Sequence, residues 1–317
     1  MTDLVTFGET MLRLSPPGDE RIETADQYVV RAAGAESNVA VATQRLGLDA
    51  TWVSKLPDSP VGRRVTGELA SHGVETDVVW SDEGRQGTYY LESGASPRGN
   101  NVIYDRADAA VTTATPDELP VDRIRSASAF HTTGITPALS ETLEVTTQTL
   151  LEAAADAGTL TSFDVNYRSK LWEPEVARET LTELFPRVDV LIVAQRDAEN
   201  VLGRTGDAAS IARGLAEEFD FEVTILTRGS EPALAVADGT THKQPTFEAT
   251  SAHPVGTGDS FVGGFLSQYV AGESVETALE YAAGTAALKR SIPGDIAVVT
   301  PTEVAAVIEG GTADISR

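Results

Sequence analysis

Short apolar runs alternate along the chain with stretches whose apolar residues recur every three or four positions. Residues 4–7 form a β-rich run closed by Gly8 and read as a strand. Residues 36–46 carry Val39, Ala42 and Leu46 at helical spacing and end at Gly47, the residue type that most readily takes the left-handed stop of a helix. The same pattern predicts helices at about 60–72, 140–157 and 259–271, closed by Gly73, Gly158 and Gly272, and at 174–185, 207–219 and 274–290. Between them lie the short apolar segments 51–53, 160–163, 188–193, 223–227 and 233–236. Strands that alternate with helices predict an α/β fold, with a largely parallel sheet covered on both faces.

Two stretches break the alternation. Residues 11–31 and 85–106 have few helical signals, and 88–91 and 101–104 read as strands separated by the turn-rich Gly94-Ala95-Ser96-Pro97-Arg98-Gly99. They predict a small β lid inserted into the main domain. With no internal repeat, low-complexity tract or long linker, one domain over 1–317 is expected.

Charge narrows the partners. Lys and Arg number 24 against 48 Asp and Glu, a net charge of −24, which repels nucleic acid and anionic lipid. The acids are dispersed, and the lysines are only Lys55, Lys170, Lys243 and Lys289. That balance suits a halophilic cytosol, where molar salt shortens the Debye length to ~3 Å and screens self-repulsion. The chain has no cysteine, which removes disulfides, thiolate nucleophiles and Cys-ligated metals. No run approaches the ~20 apolar residues of a membrane span, and Met1-Thr2-Asp3 does not open a signal peptide, so a cytoplasmic protein is expected.

Candidate chemistry concentrates at Val255-Gly256-Thr257-Gly258-Asp259-Ser260-Phe261-Val262-Gly263-Gly264-Phe265. Glycines flank Thr257 and an Asp opens an apolar helix, so main-chain N–H groups converge at the positive end of a helix dipole and form an anion hole. A carboxylate beside such a hole serves as a base for a hydroxyl lying between it and a bound phosphate. The same spacing also fits a plain Asp helix cap. A dinucleotide fingerprint would need Gly where Phe261 stands, a nucleophile elbow would need Gly in place of Val262, and there is no Gly-Lys dipeptide for a P-loop. His72, His131, His242 and His253 lack metal-ligand spacing and read as surface or strand-end residues.

Gly256-Thr257-Gly258-Asp259 resembles the C-terminal signature of the PfkB (ribokinase-like) carbohydrate kinases, and Ala33-Gly34-Ala35-Glu36-Ser37-Asn38 before Val39-Ala40 resembles their N-terminal one, with Ala33 in place of a Gly. Phe7-Gly8-Glu9, Tyr104-Asp105-Arg106, His131-Thr132-Thr133-Gly134-Ile135, Asp164-Val165-Asn166-Tyr167-Arg168 with Leu171-Trp172, and Arg228-Gly229 are similar to 2-keto-3-deoxygluconate kinases. The resemblance implies a ribokinase-like three-layer sandwich with a β lid. It also implies MgATP-dependent phosphorylation of the terminal hydroxyl of a sugar acid, 2-keto-3-deoxygluconate or its galactonate epimer.

On that basis Asp259 is the expected base and Gly256, Thr257 and Gly258 hold the transferring phosphoryl group. Gly34, Asn38, Tyr89, Tyr104, Arg106 and Arg168 are expected around the sugar acid: arginines for the carboxylate, Asn and Tyr for hydroxyl or keto oxygens, Gly34 to let substrate approach the backbone. Arg106 can equally be a salt-bridge partner in so acidic a protein. Tyr89 is preferred to Tyr90 because neighbours on a strand face opposite ways. Thr227, Gly229 and Ser230, with Gly256 and Gly258, are expected at the nucleotide, and Asp197 to organise Mg²⁺ through water. The chain departs from the family pattern at His253-Pro254, where Asp-Thr is usual, and at Ala194, Asp197 and Ala283. Fructose, ribose or nucleoside kinases and a non-catalytic sugar-binding regulator are the alternatives, with a nicotinamide oxidoreductase further off. A homo-oligomer paired through the lid is expected.

Overall fold

A computed structural model describes residues 2–94, 97–249 and 253–310, so Ala95 and Ser96 of the predicted lid turn lie outside the described residues. In chain order the strands are β1 (Leu4–Phe7), β2 (Met11–Ser15), β3 (Val29–Ala33), β4 (Ala50–Pro57), β5 (Glu75–Ser81), β6 (Thr88–Glu92), β7 (Asn101–Asp105), β8 (Ala129–Thr133), β9 (Leu160–Asp164), β10 (Val190–Ala194), β11 (Val223–Thr227), β12 (Ala233–Ala237) and β13 (Thr240–Gln244). The helices are α1 (Ala35–Arg45), α2 (Pro60–Ser71), α3 (Val121–Ser126), α4 (Glu141–Ala157), α5 (Pro174–Leu184), α6 (Gln195–Asn200), α7 (Ala208–Phe219), α8 (Thr257–Tyr269), α9 (Val275–Lys289) and α10 (Pro301–Ile308).

A nine-stranded sheet in the order β13-β12-β11-β10-β9-β8-β1-β4-β5 forms the centre. From β11 to β5 every pairing is parallel, while β12 and β13 add an antiparallel hairpin at one edge, turned by Asp238 and Gly239 at positive φ. One sheet face is covered by Leu143 and Leu150 of α4, Leu181 of α5 and Leu215 of α7. The other is covered by Val39 and Val41 of α1, Val65 and Leu69 of α2, Phe261 and Phe265 of α8, and Leu279 of α9. Apolar residues on both faces make the central strands continuous hydrophobic runs, which is why β10 and β11 stand out in the sequence.

The elements absent from the sequence expectation have identifiable reasons. Strand β8 reads Ala-Phe-His-Thr-Thr and is fully buried, yet its polar residues give no apolar run. Strands β5 and β13 are half-exposed edge strands. Helix α10 does carry a local signal: Thr300 and Glu303 form a capping box around Pro301, the favoured first helical residue. His131 is not at a surface or strand end: it is completely buried within β8, where its Nδ1 meets Ser162 Oγ at 3.0 Å, and burial lowers its pKa to about 3.

A second, four-stranded sheet in the order β3-β2-β6-β7 comes from the two stretches that broke the alternation, and extends past residue 31 to Ala33. Met11, Ala33, Tyr89 and Leu91 line its underside and pack with Tyr104 and Val255. Polar ties join it to the main sheet's neighbourhood. Arg13 of β2 pairs with Asp295 at 2.6 Å, and Lys170 Nζ donates to the main-chain oxygen of Val102 at 2.7 Å.

Candidate active site

In open parallel sheets the strand ends and their following loops leave a crevice on the carboxyl side. Here Glu9 after β1, Asp164 ending β9, Ala194 ending β10 and Thr227 ending β11 converge on a cavity of about 520 Å³ roofed by Met11, Tyr89, Leu91 and Tyr104 of the smaller sheet. Helix α8 enters from one side with Gly256, Thr257, Gly258 and Asp259 on the cavity wall. It is held close between neighbours: a Cβ on Gly263 would stand 2.5 Å from that of Ala42, and one on Gly264 2.9 Å from Tyr281 O. Packing against α1 and α9 therefore fixes where the α8 N-terminus points.

Asp259 is the third residue of α8, whose N-cap is Gly256 without a side-chain cap. It is not a helix cap: its Oδ2 accepts a 2.6 Å hydrogen bond from Asn38 Nδ2 of α1. Burial raises the Asp259 carboxyl pKa to about 6, opposed by the Asn38 bond and the positive charge of Arg168. Gly256 has φ 79°, and a side chain there would strike Asp295 O at 1.9 Å, so only glycine fits both the conformation and the space. Thr257 N donates to Pro254 O at 3.3 Å. The outward donors in the first turn are thus the N–H groups of Gly258 and Asp259, which have no acceptor among the described residues. A Cβ on Gly258 would meet open space, so an anion can approach there.

The remaining wall is rich in acid. Glu36 is buried and holds Thr133 Oγ1 and Thr136 Oγ1, each at 2.7 Å; burial raises its pKa to about 7. Asp164 is also raised to about 7, by burial and by the charge of Asp259, with Arg168 opposing. Asp197, on α6, is raised by burial against Arg196 and Arg168. Burial and mutual repulsion favour the protonated forms of such carboxyls, and an arriving cation favours the charged forms. Among the described residues no group of three or more His, Cys, Asp or Glu suits a metal ion. The donor set instead fits Mg²⁺ held mainly by phosphates and water with one or two carboxylates, and Asp197 with Asp164 beside it would supply them.

Arg168 lines the cavity in the loop after β9 and makes no ion pair among the described residues. Arg106 lines it too, but its guanidinium pairs with buried Glu9 and lies over the Tyr104 ring, 5.2 Å from the centroid. Arg106 is therefore already partnered on the cavity wall and is not a free cation there. Glu9 Oε1, Arg106 Nε and Asn38 Oδ1 are buried without a hydrogen-bond partner among the described residues, which suits ligand hydroxyls. Tyr89 faces the cavity and donates to Asp295 Oδ1 at 3.3 Å, whereas Tyr90 turns to the other face against Tyr28. Gly34 also lines the cavity, and chain packing alone already requires a glycine there: a Cβ would lie 2.2 Å from Glu9 O. Thr227 is on the cavity wall; Gly229 and Ser230 are exposed beyond it and are not among the lining residues. Sequence patterns assigned no role to Glu9, Glu36, Asp164 or Asp295. The first three stand inside the family-like motifs at 7–9, 33–38 and 164–168, and Asp295 has no local signal.

The pfkB family carbohydrate kinase pattern matches residues 1–303. The chain is 62% identical over 315 residues to a 2-dehydro-3-deoxygalactonokinase of Haloferax volcanii, covering 99% of both chains. It is 28% identical over 274 residues to a probable fructokinase of Arabidopsis thaliana, covering 86% of this chain and 79% of the relative. The crystal structure of a Thermotoga maritima 2-dehydro-3-deoxygluconokinase superimposes with a TM-score of 0.93 at 35% identity, covering 98% of each chain. With its helix-covered nine-stranded sheet, its β roof and its glycine-led α8 meeting at one acidic cavity, this chain belongs to the pfkB family of carbohydrate kinases.

Proposed function

We propose that this kinase transfers the γ-phosphoryl group of MgATP to the terminal hydroxyl of a 2-keto-3-deoxy sugar acid, the gluconate or galactonate epimer, giving the 6-phosphate and ADP. The observation that carries the reading is Asp259, bonded to Asn38 at 2.6 Å and standing beside the unpartnered N–H groups of α8 in the cavity. The 62% identity to a galactonate-type kinase supports the choice of sugar acid.

The hydroxyl oxygen attacks the γ-phosphorus as the bond to the β–γ bridging oxygen breaks, and the hydroxyl proton passes to Asp259 Oδ. Asn38 holds that carboxylate in place and, through Oδ1, accepts from a sugar hydroxyl. The N–H groups of Gly258 and Asp259 bind the migrating phosphoryl oxygens at the head of the helix dipole. Arg168 pairs with the sugar carboxylate, with Tyr89, Tyr104 and the Glu9–Arg106 pair around the hydroxyls. Thr227 borders the nucleotide, with Gly229 and Ser230 on the outer shoulder. Mg²⁺ would neutralise phosphate charge, held through water by Asp197. The smaller sheet closes as a lid that excludes water, which would otherwise divert ATP to hydrolysis.

The dispersed acidic surface points to a cytoplasm of high salt. The lid sheet, with edge strands to cover, points to a homo-oligomer joined through it. The test is ATP-dependent ADP release with 2-keto-3-deoxygluconate, 2-keto-3-deoxygalactonate, fructose and ribose, in high and low KCl. Turnover of a sugar acid above the neutral sugars is expected. Preference for fructose, the substrate class named for the 28% identical relative, would replace the reading with a neutral-sugar kinase.

A further inference from the structure

One buried cation takes no part in that mechanism. Lys289, the last residue of α9, is fully buried, an unusual position for a lysine because burying an ammonium is costly unless the site compensates it. Its Nζ donates to the main-chain oxygen of Ile292 at 3.1 Å and to that of His253 at 3.4 Å. These acceptors belong to two different loops, one entering α8 and one leaving α9. The loops meet twice more: His253 N donates to Arg290 O at 3.1 Å, and Asp295 O occupies the space that a side chain on Gly256 would need. Lys289 therefore pins the backbone directly preceding the glycine-led turn of α8.

We propose that Lys289 is a positioning residue for phosphoryl transfer: its ammonium locks the loop that aims the Gly258 and Asp259 N–H groups and sets a positive charge behind that anion hole. A neutral side chain of the same length would fill the volume without the cost of desolvation, but would leave both carbonyls unpaired and the loop free to shift. The proposal rests on the kinase reading. The charges facing Lys289 are Asp295 after α9 and Asp259 on α8, which favour its proton, and Arg13 of β2 and Arg31 of β3, which oppose it. Burial outweighs all of them and brings its pKa down to about 8. Loss of that proton is therefore a natural perturbation of the same device.

The test uses the full chain, with Lys289→Met, which keeps length without charge, and Lys289→Arg, which keeps charge to high pH. For wild type kcat is expected to fall above pH about 8. Lys289→Met should lower kcat at pH 7 by about 10- to 100-fold, the worth of one charge-assisted hydrogen bond, and should remove the alkaline fall. KM for the sugar acid should move by less than about threefold, because the pinned loop serves the phosphate side of the site and not the sugar. Lys289→Arg should retain more activity than Lys289→Met and stay level to pH 10. Wild-type kcat in Lys289→Met, or an unchanged alkaline fall in Lys289→Arg, overturns the proposal. The second result suffices if Lys289→Met does not fold. Binding of adenylyl-imidodiphosphate with Mg²⁺ gives a reading without turnover: wild-type affinity should weaken above pH about 8 and that of Lys289→Arg should not. If wild type phosphorylates no sugar acid, the functional reading fails while this binding comparison still decides the role of Lys289, and equal pH profiles would end it.

Discussion

Replacing Asn38 by alanine isolates what the 2.6 Å bond to Asp259 does for the base. Burial raises that carboxyl's pKa to about 6, and the Asn38 donor holds it from rising further. A hydrogen bond to a charged group contributes roughly 1.5–3 kcal/mol, so its loss moves the acid limb of activity up by roughly one to two pH units. At pH 7 wild-type Asp259 is about nine-tenths ionised; in the variant it would be between about a half and a tenth ionised. The pH-dependent part of the deficit is thus roughly two- to tenfold at pH 7 and closes by pH 9. It sits on a constant loss from the contact to the sugar proposed for Asn38 Oδ1. The assay is kcat/KM for the sugar acid at saturating MgATP from pH 5.5 to 9, which reports groups on the enzyme before that substrate binds. A variant-to-wild-type ratio that stays flat over this range would show that Asn38 does not tune Asp259.

Three further substitutions probe the same cavity. Asp259→Asn should lower kcat by about 10²- to 10⁴-fold with sugar binding retained, measured by single-turnover kinetics and calorimetry. It should also stabilise the fold: the native carboxyl holds its proton up to pH about 6 against 3.8 ordinarily, so wild type loses stability as pH rises through that window, and thermal melts of the two proteins should converge below pH 3.8. Arg168→Ala should raise KM for the sugar acid by about 10-fold or more while leaving any weak fructose turnover unchanged; equal effects on both would make Arg168 structural. Gly256→Ala forces a Cβ to 1.9 Å from Asp295 O at φ 79°, so it should reduce thermal stability by an amount worth about 1–3 kcal/mol and abolish turnover, and a stable, active variant would show that the turn is not held as described.

Some of the site is legible because its signals are local. Gly256 to Asp259 precede an apolar helical run, and Gly34 to Asn38 open another, so both halves of the Asn38–Asp259 pair are visible in the linear pattern of residues. Their meeting is not: Asn38 and Asp259 are 221 residues apart. Glu36 and Asp164 stand in recognisable motifs, yet nothing in sequence distinguishes a carboxyl buried at a pKa of about 7 from one on the surface of a chain with 48 acids. Strand β8 escapes because its Thr and His residues are satisfied by distant partners such as Phe7 O and Ser162, which no hydrophobic pattern records.

Periodicity and composition act over a turn of helix or a single strand, and they suffice for the alternation of short apolar runs with amphipathic helices. A covered parallel sheet, an acidic surface and a glycine-led helix start follow from them directly. Other properties emerge only on folding: Arg106 is neutralised by Glu9, Arg13 reaches Asp295, and Lys289 lies dry beneath the turn before α8. Desolvation and ion pairing depend on which remote segments exclude water from a group, and that is set only when the strand ends are gathered into one crevice.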